Sequence, residues 1–509
     1  MGLNNVKFNL GQGGLGRPLA GQDFISGLLF YTASLPSGFT TANRVKQFFS
    51  ITDAEAAGIL DTYADETPAT GSYLVTAAGA TGDTITFNVT EPFGIVVNLG
   101  TYTKAASEAT AAAVAGAIVA VINAGTLTHG YTASLSTATI VITARKGLGV
   151  YPNSGTPLAV ALSSGATIAG TLTAFSGGAA SKQAVWHYHI SEYFRIQPQG
   201  NLYVGFFAVP NPYTFVEITT MQNFANGLIR QIGVYKDGAA FAAGDLTAIN
   251  TVCAGLVAAH KEIIAFYGAD ISTVTDISTL TDLSTFSNNY VSPVIGQDGA
   301  ALGAALFYAY GKSITNLGAT LGAVSLAKVS ESIAWVAKFN MSDGTELDTL
   351  AFANGKLFSD ASITDNLLSN LQNYRYIFLR KFVGVAGSYF NEESTAISVS
   401  SDYAFISDNR TIQKATRGIY KSLVPALNSS FTLNSDGTIP DTSAGYFTTL
   451  AEVNLIQMIR DGEISAQKIS INPTQNVAST NQIVIAAQIV KNGVARNIIV
   501  NIGYQQSIS

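Results

Sequence analysis

The closing stretch of the chain sets the hardest constraint on its fold. Residues 482–490 (QIVIAAQIV) and 496–504 (RNIIVNIGY) are apolar at neighbouring positions. Ile483, Val484, Ile485, Ala486, Ala487, Ile489 and Val490, then Ile498, Ile499, Val500 and Ile502, therefore fall on both faces of any strand they form. Lys491-Asn492-Gly493-Val494 lies between the runs, and Asn-Gly in that setting predicts a two-stranded hairpin. A ribbon apolar on both faces exposes an aggregating edge unless something covers it. Its cover is either the subunit's own sheet or a strand added by a neighbouring copy along the open backbone. At the other end Val6, Lys7, Phe8, Asn9 and Leu10 read as a short strand, tethered through Gly11, Gly13, Gly14 and Gly16. They are the natural donor. The residues expected to exchange strands between copies are thus Val6, Lys7, Phe8, Asn9 and Leu10, and Ile498, Ile499, Val500, Asn501 and Ile502.

The remaining organisation follows from composition and periodicity. Residues 1–18 form an extended arm. Residues 19–66 read as compact α/β, with a buried strand at 25–31 and a helix at 54–60 capped by Thr52 or Asp53. From 67 to 182 charges nearly vanish and Ala, Thr, Ser and Gly dominate, which predicts an inserted α+β module. It has strands at 83–89, 158–163 and 171–175, a small-residue helix at 109–123, and a hairpin at 131–144. The host resumes with a continuous apolar strand at 202–209. Helices are predicted at 221–229 and 246–266, a strand near 291–296, and further helices at 300–310 and 326–337. Strands alternating with helices favour a layered α/β domain over 19–66 and 183–372. A last domain, 373–509, has a strand at 376–385, helices at 410–427 and 446–460, and the terminal hairpin.

With 47% hydrophobic and 12% charged residues in 509, the chain can bury ample core and is not disordered. A net charge of −6 lacks the basic footprint of a nucleic-acid binder. The longest apolar helical run, 111–122, is too short for a bilayer, and residues 1–8 lack a secretory pattern. The product is expected to be soluble and made in a cytoplasm. The single cysteine, Cys253, reads as a buried inert thiol.

In the helix at 410–427, Arg410, Lys414, Arg417 and Lys421 recur on one narrow face, opposite Ile412, Ala415, Ile419, Leu423 and Ala426. On an acidic protein such a stripe is either a solvated face or a docking rail for an acidic partner. Chemical motifs are poor. Gly11-Gln-Gly-Gly-Leu-Gly16 satisfies GxGxxG, but Arg17-Pro18 and Gly21 interrupt the helix that a dinucleotide site requires. His187 and His189 of WHYH are predicted on one strand face, within an aromatic-rich surface, and Glu192 alone does not complete a metal site. Ser359-Asp360 and residues 343–346 (DGTE) read as turns and caps. No catalytic residue, cofactor or metal ligand is nominated.

Several segments are similar to the contractile tail sheath family: 382–390 (FVGVAGSYF), 408–420 (DNRTIQKATRGIY), 462–464 (GEI) and 493–503 (GVARNIIVNIG). Upstream, 321–333 (LGAVSLAKVSESI) and 53–59 (DAEAAGI) also resemble it. The resemblance implies a mixed α/β, tail-sheath-like multidomain fold with the insert pointing outward and extended terminal arms. It implies a structural subunit that polymerises helically around an inner tail tube and contracts to drive it through a cell envelope. Partners would be copies of itself, the tube protein, and baseplate and tail terminator proteins. The setting would be a virion tail or a phage-derived extracellular particle. In that family the tube-facing helix lies in the C-terminal domain, which makes Arg410, Lys414, Arg417 and Lys421 the expected tube contacts. Alternatives are another self-assembling tail or surface-lattice protein, or an NAD-dependent enzyme using the N-terminal glycines.

Overall fold

The computed structural model describes residues 21–155, 157–237 and 240–504. The arm with Val6–Leu10 and the GxGxxG run lie outside them.

Strand β1 (Ile25–Tyr31) is buried along its whole length, as its unbroken apolar run demands. Strand β2 (Val45–Phe48) leads into helix α1 (Ile51–Ala56). Its cap is Ser50, upstream of the predicted residues: the Ser50 hydroxyl accepts from Asp53 N while the Asp53 carboxylate accepts from Phe49 N.

Residues 67–179 then form two small sheets. Strands β3 (Thr70–Ala78), β4 (Thr84–Thr90) and β5 (Val96–Thr103) precede helix α2 (Ala111–Ala124). The hairpin β6 (Thr132–Ser136) and β7 (Thr139–Thr143), then β8 (Leu158–Leu162) and β9 (Ile168–Ser176), complete them. The sheet orders are β6-β7-β3-β9 and β5-β4-β8. Tyr73, Phe87, Ile118, Tyr131, Ile142 and Phe175 belong to a core of their own. Chain entry and exit are adjacent: Thr67 and Ala179 exchange two backbone hydrogen bonds of 3.1 and 2.8 Å.

Helix α3 (Lys182–Ile196) returns the chain to the host, capped by Ser181. There follow β10 (Asn201–Phe207), α4 (Glu217–Phe224), β11 (Gln231–Tyr235), α5 (Ala243–Ala258), β12 (Ile264–Gly268) and β13 (Val291–Val294). The central sheet runs β13-β12-β11-β1-β10-β2, parallel throughout except for β2. Successive side chains of β1 enter different cores. Leu28 and Phe30 pack with α3 and with α7 (Leu317–Leu326), which follows α6 (Leu302–Tyr310). Leu29 and Tyr31 pack with α4 and α5.

Several expectations need correction here. The helix predicted over 246–266 is helix α5 followed by strand β12, because Ile263 to Tyr267 form a sheet interior. The helix predicted at 326–337 lies one element earlier, at α7, and 221–229 is helical only from Glu217 to Phe224. WHYH sits on helix α3, not on a strand, and all four residues are buried.

The chain continues through the hairpin β14 (Leu379–Phe382) and β15 (Val385–Phe390), where one strand was predicted. Helices α8 (Ile406–Leu423) and α9 (Asp441–Arg460) follow, then β16 (Ile464–Ile471) and β17 (Ile485–Lys491).

Candidate assembly surface

Strands β16 and β17 pair antiparallel, from Ile471 opposite Ile485 to Ile464 opposite Lys491. They form a sheet of two strands, so among the described residues each presents an unpaired outer edge. Ile464 and Ile469 pack with Ala415 of α8 and Ala451, Leu455 and Met458 of α9. Ile485 and Ile489 close that small core from the second strand.

The hairpin predicted between 482–490 and 496–504 does not form. The first run takes β16 as its partner, which puts Ile485 and Ile489 on the helices. Asn492 then leads the chain away from the ribbon, its amide donating to Gly462 O at 2.6 Å and its oxygen accepting from the Ser465 hydroxyl at 2.9 Å. Beyond it Ile498, Ile499, Val500 and Ile502 are 80%, 85%, 75% and 95% exposed, and Asn501 is exposed too. Four large aliphatic side chains within five positions thus stand in water.

The cationic face of α8 turns inward, which corrects its expectation as a rail open to solvent. Arg410 is buried and donates to the carbonyls of Ala327, Lys328 and Asp23. Lys414 bridges Asp23 at 2.9 Å and Glu463 at 2.6 Å, and Arg417 reaches Asp23 at 2.5 Å. Lys421 alone of the four is exposed. Burial raises the Asp23 carboxyl, but Arg417, Lys414 and Arg410 outweigh it and hold the group below its ordinary value. Burial pushes Arg410 down to about 10, which leaves it charged at neutral pH. These contacts clamp helix α8 to the entry of β1 and to the start of β16. Asp23 carried no sequence signal, being one acid before an apolar strand.

The carboxylates missed in the sequence also include Glu392 and Glu393. Arg496 donates Nε to Glu392 at 2.9 Å and Nη2 to Glu393 at 3.0 Å, and its guanidinium stands 3.5 Å over the Phe405 ring. Lys491 pairs with Asp408 in the first turn of α8 at 2.7 Å.

The histidines are not a metal site. His187 bonds Glu55 at 3.0 Å, and His189 is fully buried beside Tyr235 and Phe30 with neither ring nitrogen bonded. Burial drives His189 down to about 3, so it is neutral. Among the described residues no group of three His, Cys, Asp or Glu could hold a metal ion, and no helix is long and apolar enough to cross a membrane.

Two family models match the chain, the N-terminal domain of DUF2586 over residues 3–394 and its C-terminal domain over 402–509. The chain belongs to the DUF2586 family. The break between the two DUF2586 domains falls just ahead of α8. No curated protein matches the sequence. Among solved structures this DUF2586 chain is similar to the anti-feeding prophage helical sheath in its contracted state, at 14% identity and a TM-score of 0.44, over 63% of this chain and 81% of that one. It is similar to the contracted PVC sheath of an extracellular contractile injection system at 13% identity and a TM-score of 0.42, over 64% and 80%. A sheath tail protein from Listeria innocua aligns over 93% of this chain and 96% of that one, at 10% identity and a TM-score of 0.37.

Proposed function

We propose that the chain is the sheath subunit of a contractile phage tail or related injection device, polymerising helically around an inner tube and driving it by contraction. The observation that carries this reading is the C-terminal ribbon. Among the described residues it has two open edges, and the apolar residues Ile498, Ile499, Val500 and Ile502 are without cover. A soluble monomer gains nothing from such a segment, whereas a polymer uses it as a strand added to the next copy. Val6, Lys7, Phe8, Asn9 and Leu10 are the matching donor from the other end. The sequence resemblance along 382–503 supports a sheath over other lattices.

On this reading 19–66 and 183–372 form the sheath core, 67–182 is the outward module, and 373–509 is the inner domain. The work is mechanical, stored as packing differences between two lattices, and it calls for no catalytic group.

The test is assembly of the purified chain followed by electron microscopy. Hollow helical tubes are expected from the full chain. A variant ending at Arg496 should melt at the same temperature and form none. Normal tubes from that variant would remove strand exchange at this end, and a chain that stays monomeric at high concentration would remove the sheath reading.

A further inference from the structure

From Gly493 to Tyr504 every residue is exposed except Arg496. The site that receives Arg496 is built for a guanidinium. Two carboxylates, Glu392 and Glu393, take its donors, and the Phe405 ring lies beneath its plane. Glu393 is fully buried, and its oxygens also accept from the Ser407 N–H and hydroxyl in the first turn of α8. Arg375 holds the surrounding loop, donating to the carbonyls of Thr395 and Ala404 and standing 5.1 Å over the same ring. Without Arg496, the Glu393 carboxyl would keep no cation in direct contact among the described residues, which disfavours its ionised form further.

We propose that Glu392, Glu393 and Phe405 form an arginine receptor that pins the root of the C-terminal segment to the N-terminal turn of α8. Residues 497–504 are thereby presented from a fixed point to a second copy of this chain, a role that rests on the strand-exchange reading. Lys491 on Asp408 is the companion contact, so the root is held at two places five residues apart.

The receptor is also sensitive to protons. Glu393 is faced by Glu392 beside it, Arg410 from α8 and Arg496 from the terminal segment. Burial pushes it up to about 8, while Ser407 and Arg496 pull it down. Losing Arg496 removes that pull, so release of the segment and uptake of a proton go together. The contact tightens as pH rises.

Hydrogen exchange on the unassembled full chain tests this. Arg496→Ala should lower protection over 485–496 and 404–410 about tenfold, with Arg496→Lys between it and the parent. Protection in β1, β10 and β12 should not change. Parent protection over 485–496 should rise as pH climbs above about 8, and Glu393→Gln should flatten that rise. Parent-like exchange in Arg496→Ala overturns the receptor, and protection that falls with pH overturns the proton linkage. Because exchange is read before assembly, an intact contact in a chain that forms no tubes counts against the sheath reading alone. A lost contact with normal tubes overturns the presenting role.

Discussion

Asp23 meets three cations of α8 within a few ångströms, and its side chain is 25% exposed. Removing its charge leaves Arg417 and Lys414 partly buried with fewer partners. Asp23→Asn is expected to cost about 2–3 kcal/mol at neutral pH, at the lower end for a broken buried pair because water still reaches it. The sign with pH follows from its depressed folded value. The unfolded chain binds the proton more readily, so this stabilisation is full above about pH 4 and is lost as pH falls through the folded value. Chemical denaturation from pH 7 downward should show parent and variant converging. A constant gap would mean that the cost arises from packing and not from charge.

The elements that composition announced most clearly were those with one strong period. The run at 25–31 gave β1, and the alternating run at 83–89 gave β4. The hairpin of β6 and β7 was legible from its two apolar alternating runs. Helix α7 was hidden for a physical reason. All of Leu317 to Ser325 is buried, so it has no polar face to set a period, and Gly318 and Gly322 argue against helix by propensity. Those glycines are the point of the element. A Cβ on Gly318 would stand 2.1 Å from His189 O, and one on Gly322 would stand 2.8 Å from Tyr193 O. Helices α3 and α7 therefore approach backbone to backbone. Gly318→Ala must push them apart and should cost about 2–3 kcal/mol, read as a lower melting temperature. The inward turn of Arg410, Lys414 and Arg417 was illegible for another reason. Spacing fixes which residues share a face, but their acidic partners, Asp23 and Glu463, come from distant parts of the chain.

At the scale of the molecule, the two hydrogen bonds between Thr67 and Ala179 bring the ends of the inserted module to one ladder position, about 5.5 Å apart. The seam with the host is made of specific contacts. Glu66 accepts from Gly147 N and Gly149 N, Val150 N donates to Ala309 O, and Phe93 and Tyr151 lean on Tyr308. Replacing 68–178 by a two-glycine turn should leave the host folded at a loss of about 1–3 kcal/mol, checked by circular dichroism and melting. Collapse of the central sheet would show that the module supports it. The lone thiol, Cys253, is sealed in the core and held up at about 12, so it forms almost no thiolate at neutral pH. A cysteine placed at Ile499 would then be the sole nucleophilic sulfur on the molecule. Any bond it forms to a probe, or to a matching cysteine on an adjoining subunit, would report that single address without background.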